Sequence, residues 1–405
     1  MSGCLLGKPK REPANRTGRY RIRALGLALI GPLVIGGCGS GGDAPPHPSP
    51  EPPSAATCQS DITAVEPRCV SLLAPALPNA IGKFLLGAFS ERRRFDFANL
   101  GYDARAYPSE AAVVFWSGYQ LTGDPEYLRA GRDQLAYAAT LVDAQGFFDW
   151  PFQDLGRYSS NTMARLSLGF YMGYLATGDP AWLEYSERVA GALMTLPEAN
   201  VVSTFSGASY QLPYYVYQSP TEAASGRTLD PNQDASLALL FTLLANDSSS
   251  RLFRNAAVVE RSVRYLAAAM AMLHDDTCWP LADQDGYRDV CDSLYNWWTL
   301  YQLNWANQVS PNTELTHLLS TQYQILRSDL LAGNTRRIYP SVYNGPLTNP
   351  TELWLALPPA LQYGSIGDAR RIVELIGQQA ENNPGWVAMP GGFVVGYGIR
   401  GQYRP

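Results

Sequence analysis

The chain has 405 residues, 46% hydrophobic and 17% charged, enough apolar material for one large domain or two ordinary ones. Its formal charge is −5, but seven basic residues against the single Glu12 give the first 37 residues a balance of +6, which leaves −11 for the rest. An acidic body excludes nucleic-acid binding, which needs a basic footprint.

Residues 1–37 read as a secretory signal, with a basic region ending at Arg23, an apolar stretch from Ala24 to Ile35, and small residues after it. That apolar stretch is too short to span a bilayer as a helix. Its end, Val34-Ile35-Gly36-Gly37-Cys38, resembles a bacterial lipobox, in which the cysteine is acylated and becomes the first mature residue. The resemblance implies a lipidated Cys38 and, with Gly39 rather than Asp next, an outer-membrane lipoprotein of the bacterial envelope. Residues 38–57 are rich in Gly, Pro and Ser and read as a tether. Residues 58–405 then form the folded domain. Four cysteines remain there, Cys58, Cys69, Cys278 and Cys291, an even set suited to disulfides in an oxidising compartment. Proximity favours Cys58–Cys69 and Cys278–Cys291, although four cysteines permit three pairings.

From about Pro78 onward the pattern is helical and paired, so an all-α fold is expected. Ser109 to Gln120 places Ala112, Val113, Phe115, Trp116 and Tyr119 at helical spacing. The stretch Gly118-Tyr119-Gln120-Leu121-Thr122-Gly123-Asp124-Pro125 returns 55 residues later as Gly173-Tyr174-Leu175-Ala176-Thr177-Gly178-Asp179-Pro180, an internal repeat. In each copy Asp is placed to cap a helix that Pro opens. Weaker copies pair Asp234–Leu244 with a helix from about Ser248 to Leu273, and Asp292–Asn307 with one opened by Ser310-Pro311. A last copy pairs Thr351–Tyr363 with a helix from Asp368. The first member of each pair is apolar nearly all round, as an inner helix should be, and the second carries more charge.

These hairpins, with a Thr-Gly-Asp-Pro link followed by Tyr127-Leu128 or Trp182-Leu183, resemble the α/α-toroid superfamily. That group includes six-hairpin glycosidases, toroidal polysaccharide lyases and sugar or uronyl epimerases. The resemblance implies a complete or incomplete (α/α)6-type toroid whose long inner-helix loops line a cavity, and a polysaccharide or oligosaccharide partner. It does not fix a reaction.

The loops before the inner helices combine Tyr or Trp with Asp, Asn and Arg. Glycoside hydrolysis requires two carboxylates, one protonated and one ionised, for which Asp149, Asp230, Asp234 and Glu110 are candidates; Asp149 and Asp234 are the expected catalytic pair. Elimination or epimerisation at a uronate needs a proton acceptor and groups that neutralise the carboxylate. Tyr158, Asn161, Arg165 and Tyr215 suit that chemistry, with Asn161 and Arg165 four apart on one helix face. Each has a structural alternative: capping for Asn161, an ion pair for Arg165, and a turn or dipole role for Asp230 and Asp234. Trp150, Tyr214, Tyr217, Trp297 and Tyr343, with Asp230, are candidates to bind sugar. No cofactor or metal is expected; the spacing of His274, Cys278 and Cys291 fits no familiar zinc pattern. Two functions follow as expectations: a lipoprotein that binds and processes a polysaccharide, or a non-catalytic glycan-binding lipoprotein working with export or envelope proteins.

Overall fold

The computed structural model describes residues 125–149, 157–224, 230–273, 279–280, 282–283, 291–332, 338–339, 351–365, 367–372 and 374–375. All lie within the compact unit spanning Pro52–Pro405. The signal and tether, Cys38, Cys58, Cys69, Cys278, Glu110, Trp150, His274 and Tyr343 fall outside the described residues, as does the first Thr-Gly-Asp link before Pro125.

Among the described residues the framework is helical, as expected. It comprises α1 (Pro125–Thr140), α2 (Ser160–Thr177), α3 (Pro180–Thr195), α4 (Pro231–Asn246), α5 (Ala256–Ala271), α6 (Ser293–Val309), α7 (Thr313–Leu331) and α8 (Thr351–Tyr363). Helical backbone resumes over 367–372. Helices α2, α4, α6 and α8 pack side by side in that order, with α3, α5 and α7 each laid against the helix before it. This gives an inner arc backed by an outer one. No helix among the described residues is long and apolar enough to cross a membrane.

Inner helices are buried on nearly every side; in α4 only Asn246 of sixteen residues escapes burial. Outer helices are amphipathic and present one stripe to the core. The two layers are joined by matched buried hydroxyls. Ser167 of α2 donates to the carbonyl of Ser186 at 2.8 Å and meets its hydroxyl at 3.0 Å, and Thr242 of α4 meets Ser262 of α5 at 2.6 Å. Phe170 stacks on Tyr185 of α3 at 5.1 Å, Phe241 packs on Tyr265 of α5 at 5.7 Å, and Trp297 meets Tyr323 of α7 edge-on at 6.0 Å.

The second Thr-Gly-Asp-Pro link behaves as its residues dictate. Gly178 ends α2 at φ +70° and its N–H reaches the Tyr174 carbonyl at 2.8 Å, a left-handed cap that glycine adopts without penalty. Asp179 then accepts from the N–H of Ala181 at 3.0 Å, and Pro180 opens α3. Two expected starts are corrected. Helix α5 begins at Ala256, capped by Asn255, because Glu187 of α3 holds Ser250 and Arg251 in a preceding turn. Helix α7 begins at Thr313, capped by Asn312, whose side chain accepts from the Leu315 N–H, while Ser310 is still the C-cap of α6 with its N–H on the Ala306 carbonyl.

The helical pattern did not announce the seven short strands found among the described residues. Tyr158–Ser159 (β1), Val216–Ser219 (β4) and Glu222–Ala223 (β5) form one sheet; Glu198–Val202 (β2) and Ser209–Pro213 (β3) form a hairpin; Cys291–Asp292 (β6) pairs with Ile338–Tyr339 (β7). The β2–β3 hairpin is fastened to α5 by Glu198, which accepts from Arg264 at 2.7 Å and from the Tyr265 hydroxyl at 2.7 Å. Its continuation, β4, pairs with β1 immediately before α2, Tyr158 opposite Tyr217 and Ser159 opposite Val216. That places the tyrosine loop over the N-terminal ends of α2 and α4.

Candidate functional site

The inner-helix N-termini carry a concentration of buried polar groups: Ser159, Ser160, Asn161 and Thr162 at α2; Asp230, Asn232, Gln233, Asp234 and Ser236 at α4; Asp292 and Asn296 at α6. Local chemistry places several of them. Ser159 caps α2 by accepting from Thr162, Ser160 donates to the Tyr214 carbonyl at 2.8 Å, and Gln233 donates to the Pro213 carbonyl at 3.3 Å. Asn296 clamps Trp279 by accepting its N–H at 2.7 Å and donating to its carbonyl at 3.0 Å.

Helical rotation of about 100° per residue sorts the rest. The outer layer is met by Ser167 and Phe170 on α2, Phe241 and Thr242 on α4, and Trp297 on α6. The opposite face carries Asn161 and Arg165 on α2, Asn232 and Ser236 on α4, and Trp298 and Gln302 on α6, each pair four residues apart. These faces touch. Asn161 donates to Asn232 at 3.1 Å, Ser236 donates to Asn161 at 3.1 Å, and Gln302 donates to Ser236. The Arg165 guanidinium lies 4.4 Å from the Trp298 ring centroid. An arginine of α2 can reach a tryptophan of α6 only by crossing in front of the intervening α4, so this face is the inner wall of the arc. Arg165 and Trp298 are half-buried, and Tyr295, one turn nearer the N-terminal mouth, is exposed. A stacked guanidinium and indole contribute about 0.5–2 kcal/mol, more as water is excluded.

The expected Asp149–Asp234 pair is not assembled. Asp149 is exposed at the mouth and forms a 3.2 Å ion pair with Arg157, whose guanidinium lies 5.5 Å from the Tyr158 ring. Asp234 is fully buried, and neither carboxylate oxygen has a hydrogen-bond partner. It stands two residues from both Asn232 and Ser236, about 200° around α4, on the side of Phe241 and α5. It therefore points away from the wall. Burial pushes its carboxyl well above the usual range, with the nearby Asp230 carboxylate adding to the effect. Leaving a neutral carboxyl unpartnered costs about 1–3 kcal/mol, whereas an ionised one would cost far more.

Tyr158 is buried against Phe147, and burial raises its hydroxyl above the ordinary tyrosine value despite the opposing pull of Arg157. Tyr214 and Tyr215 are half-buried in the loop over the mouth. Tyr217 is fully buried; its hydroxyl accepts from the Tyr214 N–H at 2.7 Å and donates to the Pro197 carbonyl at 2.8 Å, which shapes that loop. Trp297 is buried against α7, on the outer side of α6. Asp230 is fully buried beside the wall and accepts from Asn232 at 2.8 Å. Sequence reading overlooked Asn232, Ser236, Trp298 and Gln302. Their signal was a polar or amphipathic residue recurring at i and i+4 on helices otherwise apolar all round, the same spacing that singled out Asn161 and Arg165. No group of three or more His, Cys, Asp or Glu placed to hold a metal ion occurs among the described residues.

The fold defines a class. The inner and outer arcs of consecutive helical hairpins among the described residues have the α/α-toroid fold. Its solved structural neighbours include cellobiose 2-epimerase from Spirochaeta thermophila DSM 6192 (12% identity, 74% of this chain and 86% of that one, TM-score 0.56). Cellobiose 2-epimerase from Bacillus thermoamylovorans B4167 is a second (10%, 69% and 76%, TM-score 0.53). A third is an inactive variant of the GH76A α-1,6-mannanase of Salegentibacter sp. HEL1_6 in complex with α-1,6-mannotriose (12%, 73% and 89%, TM-score 0.51). At such identities the likeness establishes the fold alone. No protein-family model matches the sequence, and no curated protein matches it.

Proposed function

We propose that the protein is an envelope-anchored toroid that binds and processes a polysaccharide at the inner wall of its arc, with an acidic, uronate-bearing glycan as substrate. The observation that carries this reading is the Arg165 guanidinium lying over Trp298 across the front of α4. An indole offers a flat apolar face for a sugar ring and a guanidinium a bidentate partner for a carboxylate. Sugar-processing enzymes on the same fold, including an unsaturated glucuronyl hydrolase specific for heparin, support it. In elimination, a base takes the proton beside the carboxylate, the C–O bond to the leaving sugar breaks, and the leaving oxygen takes up a proton; in epimerisation a proton returns to the carbon from the opposite face. Arg165 and Asn161 would hold the carboxylate and spread the developing charge. Tyr158, a protonated phenol at neutral pH, suits the proton donor, and Tyr215 lies in the loop over the same mouth. Lipidation at Cys38, the tether of residues 38–57, the disulfides and the outer-membrane location belong to the same proposal.

A non-catalytic glycan-binding role is the second reading. It is favoured by the composition of the described wall: Asn161, Arg165, Asn232, Ser236, Trp298 and Gln302 include no carboxylate, and Asp230 beside them is already engaged by Asn232. The test uses the full-length protein with cellobiose, α-1,6-mannotriose, heparin, polygalacturonate and alginate, following reducing ends, unsaturated-product absorbance and sugar NMR. Turnover of an acidic glycan is expected, reduced about 10–100-fold in Arg165→Ala, the loss of one charge-assisted hydrogen bond or more. Retention without turnover selects the second reading, and neither retention nor turnover on any glycan overturns both.

A further inference from the structure

The wall's hydrogen bonds have a single direction. Asp230 is an acceptor and takes the amide N–H of Asn232 at 2.8 Å, so the Asn232 oxygen must point the other way. It accepts from the Asn161 amide at 3.1 Å. The Asn161 oxygen thus faces Ser236, whose one hydroxyl proton is shared between that oxygen at 3.1 Å and the Asn232 carbonyl at 2.8 Å. Ser236 can then only accept from its remaining neighbour, which turns the Gln302 amide nitrogen towards it. The Gln302 side-chain oxygen is left at the open end of the chain. It is buried and has no hydrogen-bond partner, and it lies one turn along α6 from half-buried Trp298, on the same face.

We infer that this oxygen is a ligand-reading acceptor that selects a hydroxyl donor on the bound sugar, and that Asp230, four hydrogen bonds away, fixes its polarity. The inference rests on the carbohydrate reading above and adds a specificity residue, Gln302, with a positioning residue, Asp230. A carboxylate at the far end polarises every donor in the chain the same way. Replaced by an amide, that end can donate as well as accept, and the chain loses the constraint on its sense.

Calorimetric titration of the full-length protein with cellobiose, α-1,6-mannotriose and oligosaccharides of heparin, polygalacturonate and alginate tests this, followed by the monodeoxy derivatives of whichever binds most tightly. The wild type should lose about 10-fold or more for one monodeoxy position, about 1.4 kcal/mol for each tenfold. Gln302→Met should weaken the parent sugar by a similar factor and bind parent and monodeoxy sugar alike. Asp230→Asn, isosteric and remote from the sugar, should erode the same discrimination, and it covers the case in which Gln302→Met fails to fold. A purely structural role would not move discrimination at one hydroxyl. Parent sugar bound equally by wild type and a folded Gln302→Met, or full discrimination kept by Asp230→Asn, would overturn the inference while leaving the carbohydrate reading intact. Failure of all these sugars to bind would remove both.

Discussion

At the scale of single residues, Asp234 shows how the same composition can serve opposite ends. A carboxyl in the first turn of an inner helix is placed to complement the dipole or to act on a sugar. The rotation of α4 instead sends it into the layer beneath, where burial holds it neutral. The consequence for stability has a definite sign. Between the ordinary carboxylate pKa and its raised native value, the unfolded chain has released a proton that the native state keeps. Native protein binds more protons, so stability falls as pH rises through that window. Relative to Asp234→Asn, the wild type should lose stability as pH rises above the ordinary carboxylate pKa, by about 1.4 kcal/mol per pH unit for as long as the native carboxyl stays protonated, measured by urea unfolding across a pH series. Parallel curves for the two proteins would show that Asp234 ionises normally. Asp368 has the opposite sign. Burial resists its charge, but Arg327, Tyr323 and Ser365 together hold its carboxyl below the usual range, so its contribution is present above the ordinary carboxylate pKa and lost as pH falls through the lowered one.

Among elements, the helices were legible where local chemistry decides and illegible where distant groups do. The Thr177–Pro180 link could be read letter by letter because its glycine, aspartate and proline satisfy one another within a few residues. The start of α5 could not, since Glu187, more than sixty residues away, holds Ser250 and Arg251 out of the helix. Ser310-Pro311 carried a plausible start signal, but Asn312 supplies the cap by accepting from Leu315 at 2.9 Å while its own N–H reaches Asn307 at 2.8 Å. Asn312→Ala should therefore cost about 1 kcal/mol in chemical denaturation, the usual worth of an N-cap side chain. Ser310→Ala should change little, as its hydroxyl caps nothing; a reversed order would return the start of α7 to Ser310. The strands were hidden for a related reason. Ser209–Pro213 and Val216–Ser219 are too short and mixed to show a period of two, and pairing across the loop defines them.

Across the whole molecule, the repeat located the mouth but not its contents. An offset of 55 residues and a recurring link imply inner helices that begin on one side of an arc, and the solved neighbours share that fold. The pairing of Asn161 with Arg165 was visible because both lie on one helix. That Asn232, Ser236, Trp298 and Gln302 face them depends on the angular setting of three helices, which a nearly uniform apolar pattern does not encode. The resulting wall, and not the Asp149–Asp234 pair, is the centre of the functional account. The most direct test is a crystal structure of the protein with the glycan it retains best. Sugar stacked on Trp298, with Arg165 on its carboxylate and a hydroxyl within hydrogen-bonding distance of Gln302, is the predicted result. Sugar held at the exposed Asp149–Arg157 pair, or on the outer helices with the wall unchanged, would contradict it.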